Sequence, residues 1–186
     1  PPIEELTGEE TPGTPRDHGK TSDLQRSVIR NPLVWVLALS SAFMYISRYA
    51  INGWGVLFLQ EIKGYTLAAA TQVISVNALC GIVGTVFSGW LSDAFFHGRR
   101  NVLAFGFGVL NTVALCLFLY SGDGLVVNIL SMILFGVAIG VLICFLGGLM
   151  AIDIVPREAT GAALGIVGMA SYVGAGLQDI VSGWLI

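Results

Sequence analysis

Residues 124–152 read GLVVNILSMILFGVAIGVLICFLGGLMAI, without a single Asp, Glu, Lys or Arg. A helix rises 1.5 Å per residue, so about 20 apolar residues cross a hydrocarbon core of about 30 Å. Strands of a membrane barrel would instead alternate over segments of about 10 residues, and nothing here alternates. The stretch therefore predicts a membrane-spanning helix.

Outward from it, the charges divide the chain into four more spans of the same kind. Residues 32–60 hold one charge, Arg48; 64–92 and 101–122 hold none; 159–186 hold Asp179 alone. Only short connections remain, at 61–63, 93–100, 123 and 153–158. Short connections between long helices give antiparallel neighbours. The expected fold is an all-α integral membrane bundle of five transmembrane helices over residues 32–186, in contact with the lipid bilayer.

Composition agrees. Of 186 residues, 55% are hydrophobic and 11% charged, where a soluble globule carries about 25% charged residues. A soluble domain and a disordered chain are both excluded. Nine Lys and Arg and a net charge of −3 leave no basic face for nucleic acid. Cys80, Cys116 and Cys144 stand alone in apolar sequence, with no CxxC and no histidine cluster, which predicts small buried hydrophobes and no metal site. His18 and His97 read as loop residues. No phosphate-loop, dinucleotide, nucleophile-elbow or metalloprotease motif occurs, so neither an enzyme nor a cofactor is expected.

Residues 1–31 differ from the rest. They carry Pro1, Pro2, Pro12 and Pro15 with many charges, and read as a flexible or weakly helical connector without the apolar core of a signal peptide. The chain starts without Met, which predicts that it begins inside a longer protein. Arg16, Lys20, Arg26, Arg30, Arg99, Arg100 and Arg157 fall on one side of the spans and only Lys63 on the other. The positive-inside rule then places residues 1–31 in the cytoplasm. Five crossings would end the chain outside, and the odd number also predicts a fragment.

Arg48 is the residue most able to carry chemistry. It sits near mid-depth in its span, where a guanidinium is costly and marks function by default. Ser41, Tyr45, Arg48 and Asn52 recur at spacings of four, three and four, which aligns them on one helical face. A guanidinium matches phosphate or carboxylate oxygens bidentately and stays charged. The stripe thus predicts an anion site with Arg48, Tyr45 and Asn52 as ligand-binding residues. The alternative is a structural ion pair between Arg48 and Asp179, the other intramembrane charge, which could also titrate as a coupling group.

Around the second connection, Asp93, Arg99 and Arg100 could bridge helix ends as a conformational latch. Arg99 and Arg100 could equally be a topology signal alone. Asp153 and Arg157-Glu158 mark another helix junction, with Pro156 fixing its turn. Gly136-xxx-Gly140, Gly161-xxx-Gly165 and the series Gly81, Gly84 and Ser88 suit either close helix packing or a sliding interface.

Three motifs extend this reading. Gly89-Trp-Leu-Ser-Asp93 followed by Gly98-Arg99-Arg100 resembles the loop signature of the major facilitator superfamily. Arg30-Asn-Pro-Leu-Val-Trp35 and Tyr45-Ile-Ser-Arg48-Tyr-Ala-Ile-Asn-Gly-Trp54 resemble the seventh helix of the organophosphate:phosphate antiporters. Pro156-Arg-Glu-Ala-Thr-Gly161 through Gly165 and Gly168, with Ser171-Tyr172-Val-Gly174, resembles that family's junction of helices 10 and 11. The resemblance implies a twelve-helix protein of which this chain is the central cytoplasmic loop and helices 7 to 11. It implies exchange of a phosphorylated metabolite, such as hexose phosphate or glycerol 3-phosphate, for inorganic phosphate by alternating access. Arg48 would be one of two site arginines, its counterpart lying in the missing N-terminal half. Asp179 matches an acidic position in helix 11 of some members, although this segment lacks their basic residue. The same family includes sugar-phosphate sensors that signal to a kinase, and the helices resemble both branches. A major facilitator transporter for another substrate is the remaining alternative.

Overall fold

The computed structural model describes residues 25–96 and 100–185 of the chain. Five helices carry it: α1 (Pro32–Glu61), α2 (Leu67–Phe96), α3 (Arg100–Tyr120), α4 (Leu125–Cys144) and α5 (Thr160–Leu185). All five long helical segments have the length and composition to cross a membrane. A π-helical turn (Phe145–Leu149) and a further helical turn (Met150–Ile154) prolong α4. The paired glycines Gly147 and Gly148 sit in the π segment, where the helical hydrogen-bond ladder loosens most readily.

Each boundary has a local cause. Asn31 caps α1 by accepting a 3.0 Å hydrogen bond from the Leu33 amide, with Pro32 at the first helical position. Residues 25–30 form a short helix ahead of it, tied down by Trp35 Nε1 donating to the Ile29 carbonyl at 2.7 Å. Gly64, at φ 68°, turns the chain between α1 and α2, and Thr66 Oγ1 accepts from the Ala69 amide to start α2. Val155 is extended before Pro156, as the proline ring requires, and this ends the α4 run.

The largest boundary difference from the sequence reading is at the end of α2. Asp93 was expected in the connection after residue 92, but α2 continues to Phe96 and Asp93 lies in its last turn. Ser92-Asp-Ala-Phe-Phe96 contains no glycine or proline to stop the helix. Residues 97–99 and 1–24 lie outside the described residues.

Packing is organised around α4, whose most apolar window is 61% buried, against 22–33% in the other four. Its main neighbours are α2 and α3, while α1 packs chiefly on α5. The α2–α4 contact is a backbone contact. A methyl group added at Gly136 would collide with the Asn77 carbonyl, at Gly140 with the Gly81 carbonyl, and at Gly84 with the Val137 carbonyl. Between membrane helices there is little hydrophobic drive, so this proximity is what dispersion requires. The second expected pair does not pack this way: Gly161 and Gly165 lie on an exposed face of α5, with nothing within 4 Å of an added methyl. Spacing alone does not say which neighbour a small-residue face meets. The α1–α5 seam closes instead at Gly174, against Ala42.

A partly buried polar knot joins the α1–α2 and α3–α4 connections. Lys63 Nζ donates to the Phe118 carbonyl (2.5 Å), Asn128 Oδ1 (2.7 Å) and Ser121 Oγ (3.2 Å), above the Phe58 and Phe118 rings. Asn128, fully buried, donates to Tyr65 Oη and to the Gly122 and Gly124 carbonyls. Tyr65 Oη in turn donates to the Asp123 carbonyl at 2.7 Å. Burial pushes the Lys63 pKa below its ordinary value, and the Asp123 carboxylate opposes that shift.

Candidate functional site

The polar stripe on α1 divides by depth. Ser41 is fully buried in the α1–α5 seam, 2.7 Å from Ser171 Oγ. Since Ser171 gives its proton to the Val167 carbonyl, Ser41 is the donor between them. One turn on, Tyr45 stacks with Tyr49 at 6.0 Å and meets Tyr172 of α5 edge-on at 5.5 Å. Arg48 and Asn52 then line a cavity of about 420 Å³ shared with α2 and α4. The stripe thus divides: Ser41 and Tyr45 meet α5, while Arg48 and Asn52 line the cavity.

The Arg48 guanidinium lies 5.8 Å from the Tyr45 ring centroid, a cation–π contact. Among the described residues it has neither a carboxylate nor a hydrogen-bond partner, and the one ion pair joins Arg100 to Asp153. Arg48 and Asp179 are therefore not paired here. Asp179 instead sits beside Gly53, its Oδ1 3.8 Å from where a Cβ would stand. Gly53 is five residues beyond Arg48, or about 7.5 Å along the helix, and the carboxylate is exposed.

Two residues of this cavity escaped the sequence reading. Asn77 of α2, 5% exposed, donates Nδ2 to Asn52 Oδ1 at 3.0 Å. Thr85 Oγ1 lies 2.9 Å from the Gly81 carbonyl and 3.1 Å from that of Gly140. Their signal was present: Asn77, Gly81 and Thr85 recur every four residues as small or polar groups on one face of an apolar helix. The remaining wall is aliphatic, including Ile82, Ile139 and Ile143. A cationic fork, two amides and an apolar surround form a pocket suited to an anion with a polar body.

A second cavity, of about 470 Å³, lies among α1, α3 and α4. It is lined by Ser47, Asn111 and Thr112 but by no charged side chain, so the Arg48 cavity is the candidate site. Of the expected latch, Arg100 makes a contact, with NH1 2.7 and 2.8 Å from the two Asp153 carboxylate oxygens. It joins the start of α3 to the turn after the π segment. Arg99 lies outside the described residues, and only the helical position of Asp93 is described.

Comparison with known proteins follows the same line. The profile of the Major Facilitator Superfamily matches residues 2–178. The membrane sensor protein UhpC of Salmonella typhimurium is 35% identical over 166 residues, covering 87% of this chain and 36% of its own length. The glycerol-3-phosphate transporter of Bacillus subtilis is 34% identical over 152 residues, covering 79% and 33%. A probable hexose phosphate transport protein of Chlamydia pneumoniae is 34% identical over 156 residues, covering 80% and 33%. The chain thus spans about a third of the length of these relatives. It is an integral membrane chain that belongs to the major facilitator superfamily, and the relatives it matches are transporters and sensors of the sugar-phosphate branch.

Proposed function

We propose that the full-length protein binds a phosphorylated small molecule and exchanges it for inorganic phosphate by alternating access, with Arg48 clamping the phosphate group. The observation that carries this reading is the state of Arg48: an intramembrane guanidinium on a cavity wall, with no carboxylate partner among the described residues. An unpaired charge at that depth is costly, and an anionic ligand held by its planar fork would offset the cost. Tyr45 supports the guanidinium through its ring, and Asn52 stands one turn away in the same cavity. The names of the relatives supply the ligand class: glycerol 3-phosphate and hexose phosphate. A second arginine would come from the N-terminal half of the full-length protein, and residues 1–31 would lie in the cytoplasm on the charge count.

The match to UhpC favours a second reading, in which the same site senses a sugar phosphate and signals to a kinase. Exchange in vesicles separates the two. Full-length protein should take up sugar phosphate against trapped inorganic phosphate, and Arg48→Lys should abolish the exchange. Binding without exchange in the wild type would favour the sensor, and undiminished exchange by Arg48→Lys would overturn the clamp.

A further inference from the structure

We propose that Asn52 and Asn77 form the part of the cavity that recognises the hydroxyl-bearing carbon skeleton of the ligand, with Asn77 setting the orientation of Asn52. The inference rests on the reading of Arg48 as the phosphate clamp and assigns the other end of the same ligand.

Asn77 is placed by backbone, since its own carbonyl abuts Gly136 within the close α2–α4 contact. It is almost completely buried and points its amide across to α1. The 3.0 Å bond from Asn77 Nδ2 occupies Asn52 Oδ1. With Asn77 Nδ2 as the donor, Asn52 Oδ1 faces α2, because reversing Asn52 alone would oppose two NH2 groups. The Asn52 NH2, with no hydrogen-bond partner among the described residues, is left as a donor, and Asn52 is exposed to the cavity. The hydroxyl of Thr85, the other polar group on the wall, is directed at backbone carbonyls.

Arg48 and Asn52 are separated by one helical turn, about 6 Å along the axis. That is the separation between a phosphate group and the hydroxyls two or three carbons along its ester chain. Neutral amides suit hydroxyls, which both donate and accept, and offer no charge to a second anion. Inorganic phosphate held at Arg48 does not extend to the amides. The pair therefore distinguishes ester from inorganic phosphate, and Asn77 acts as a positioning residue through Asn52.

The test compares two ligands on full-length protein in lipid vesicles, using glycerol 3-phosphate and inorganic phosphate as probes and measuring half-saturating concentrations. In Asn77→Leu the value for glycerol 3-phosphate should rise about tenfold, the effect of leaving one buried polar partner unmatched. The value for inorganic phosphate should change less than about twofold. Asn77→Ser keeps a donor, should lie between wild type and Asn77→Leu, and serves if the leucine variant does not insert. Equal weakening of both ligands would make Asn77 a merely structural residue, and no change in either would remove it from the site; each result overturns the inference alone. A wild type that binds neither probe would overturn the phosphate reading and this inference with it.

Discussion

Thr85 Oγ1 lies 3.1 Å from the Gly140 carbonyl, a side-chain hydrogen bond between α2 and α4 made possible by the missing side chain at Gly140. The same glycine lets the two backbones touch, because a Cβ there would collide with the Gly81 carbonyl. The packing of the helix pair and the shape of the Arg48 cavity thus depend on one position.

Gly140→Leu should destabilise the full-length protein by at least the roughly 1–3 kcal/mol typical of overpacking, because the clash is with backbone and cannot be relieved by a rotamer change. Gly106→Ala is the control. Its site on α3 is open, with nothing within 4 Å of an added methyl, and alanine favours helix by up to about 1 kcal/mol. Thermal unfolding in detergent should show a large loss for the first and none for the second.

Lys63→Met should loosen the polar knot that ties the α1–α2 connection to Phe118, Ser121 and Asn128. Removing one partner of this partly buried network leaves the buried Asn128 acceptor and a helix-end carbonyl unmatched, at a cost of about 1 kcal/mol or more. The pH dependence has a definite sign. The folded pKa of Lys63 is depressed below 10.5, so between that depressed value and 10.5 the unfolded chain binds more protons. The contribution of this group to stability therefore rises with pH through that window. Unfolding midpoints measured from neutral to alkaline pH should carry that rise in the wild type and lose it in Lys63→Met. Parallel pH curves for the two proteins would contradict the account.

Arg100 meets both Asp153 carboxylate oxygens through one nitrogen, NH1, and their side chains are 29% and 52% exposed. Solvent screens such a pair, and a double-mutant cycle with Arg100→Ala and Asp153→Ala should return a coupling of no more than about 1 kcal/mol. A coupling several times larger would mean that the pair is far less hydrated than its exposure indicates.

The helices were legible because long charge-free stretches have few other solutions in lipid, and α4 with its extension was the plainest of them. Element ends were readable where glycine, proline or a capping side chain stood, and misread where none did, as at Asp93 inside α2. Arg48 could be singled out by its charge in an apolar span. Asn77 carried a weaker signal, the four-residue recurrence with Gly81 and Thr85, and its partner Asn52 became visible only once α1 and α2 were packed together. The same holds for the glycines: Gly140 and Gly161 look alike in sequence, yet one meets a backbone and the other open space. Lys63 counted only as a loop charge because its acceptors lie 55 to 65 residues away.

The central claim is that the Arg48 fork, and not its charge alone, holds a phosphate group. Titration of glycerol 3-phosphate into purified full-length protein, wild type against Arg48→Lys, tests it directly. Lysine keeps the charge and loses the planar pair of donors, so the account predicts affinity at least about tenfold weaker in the variant. Equal affinity for the two proteins, with both folded, would contradict it.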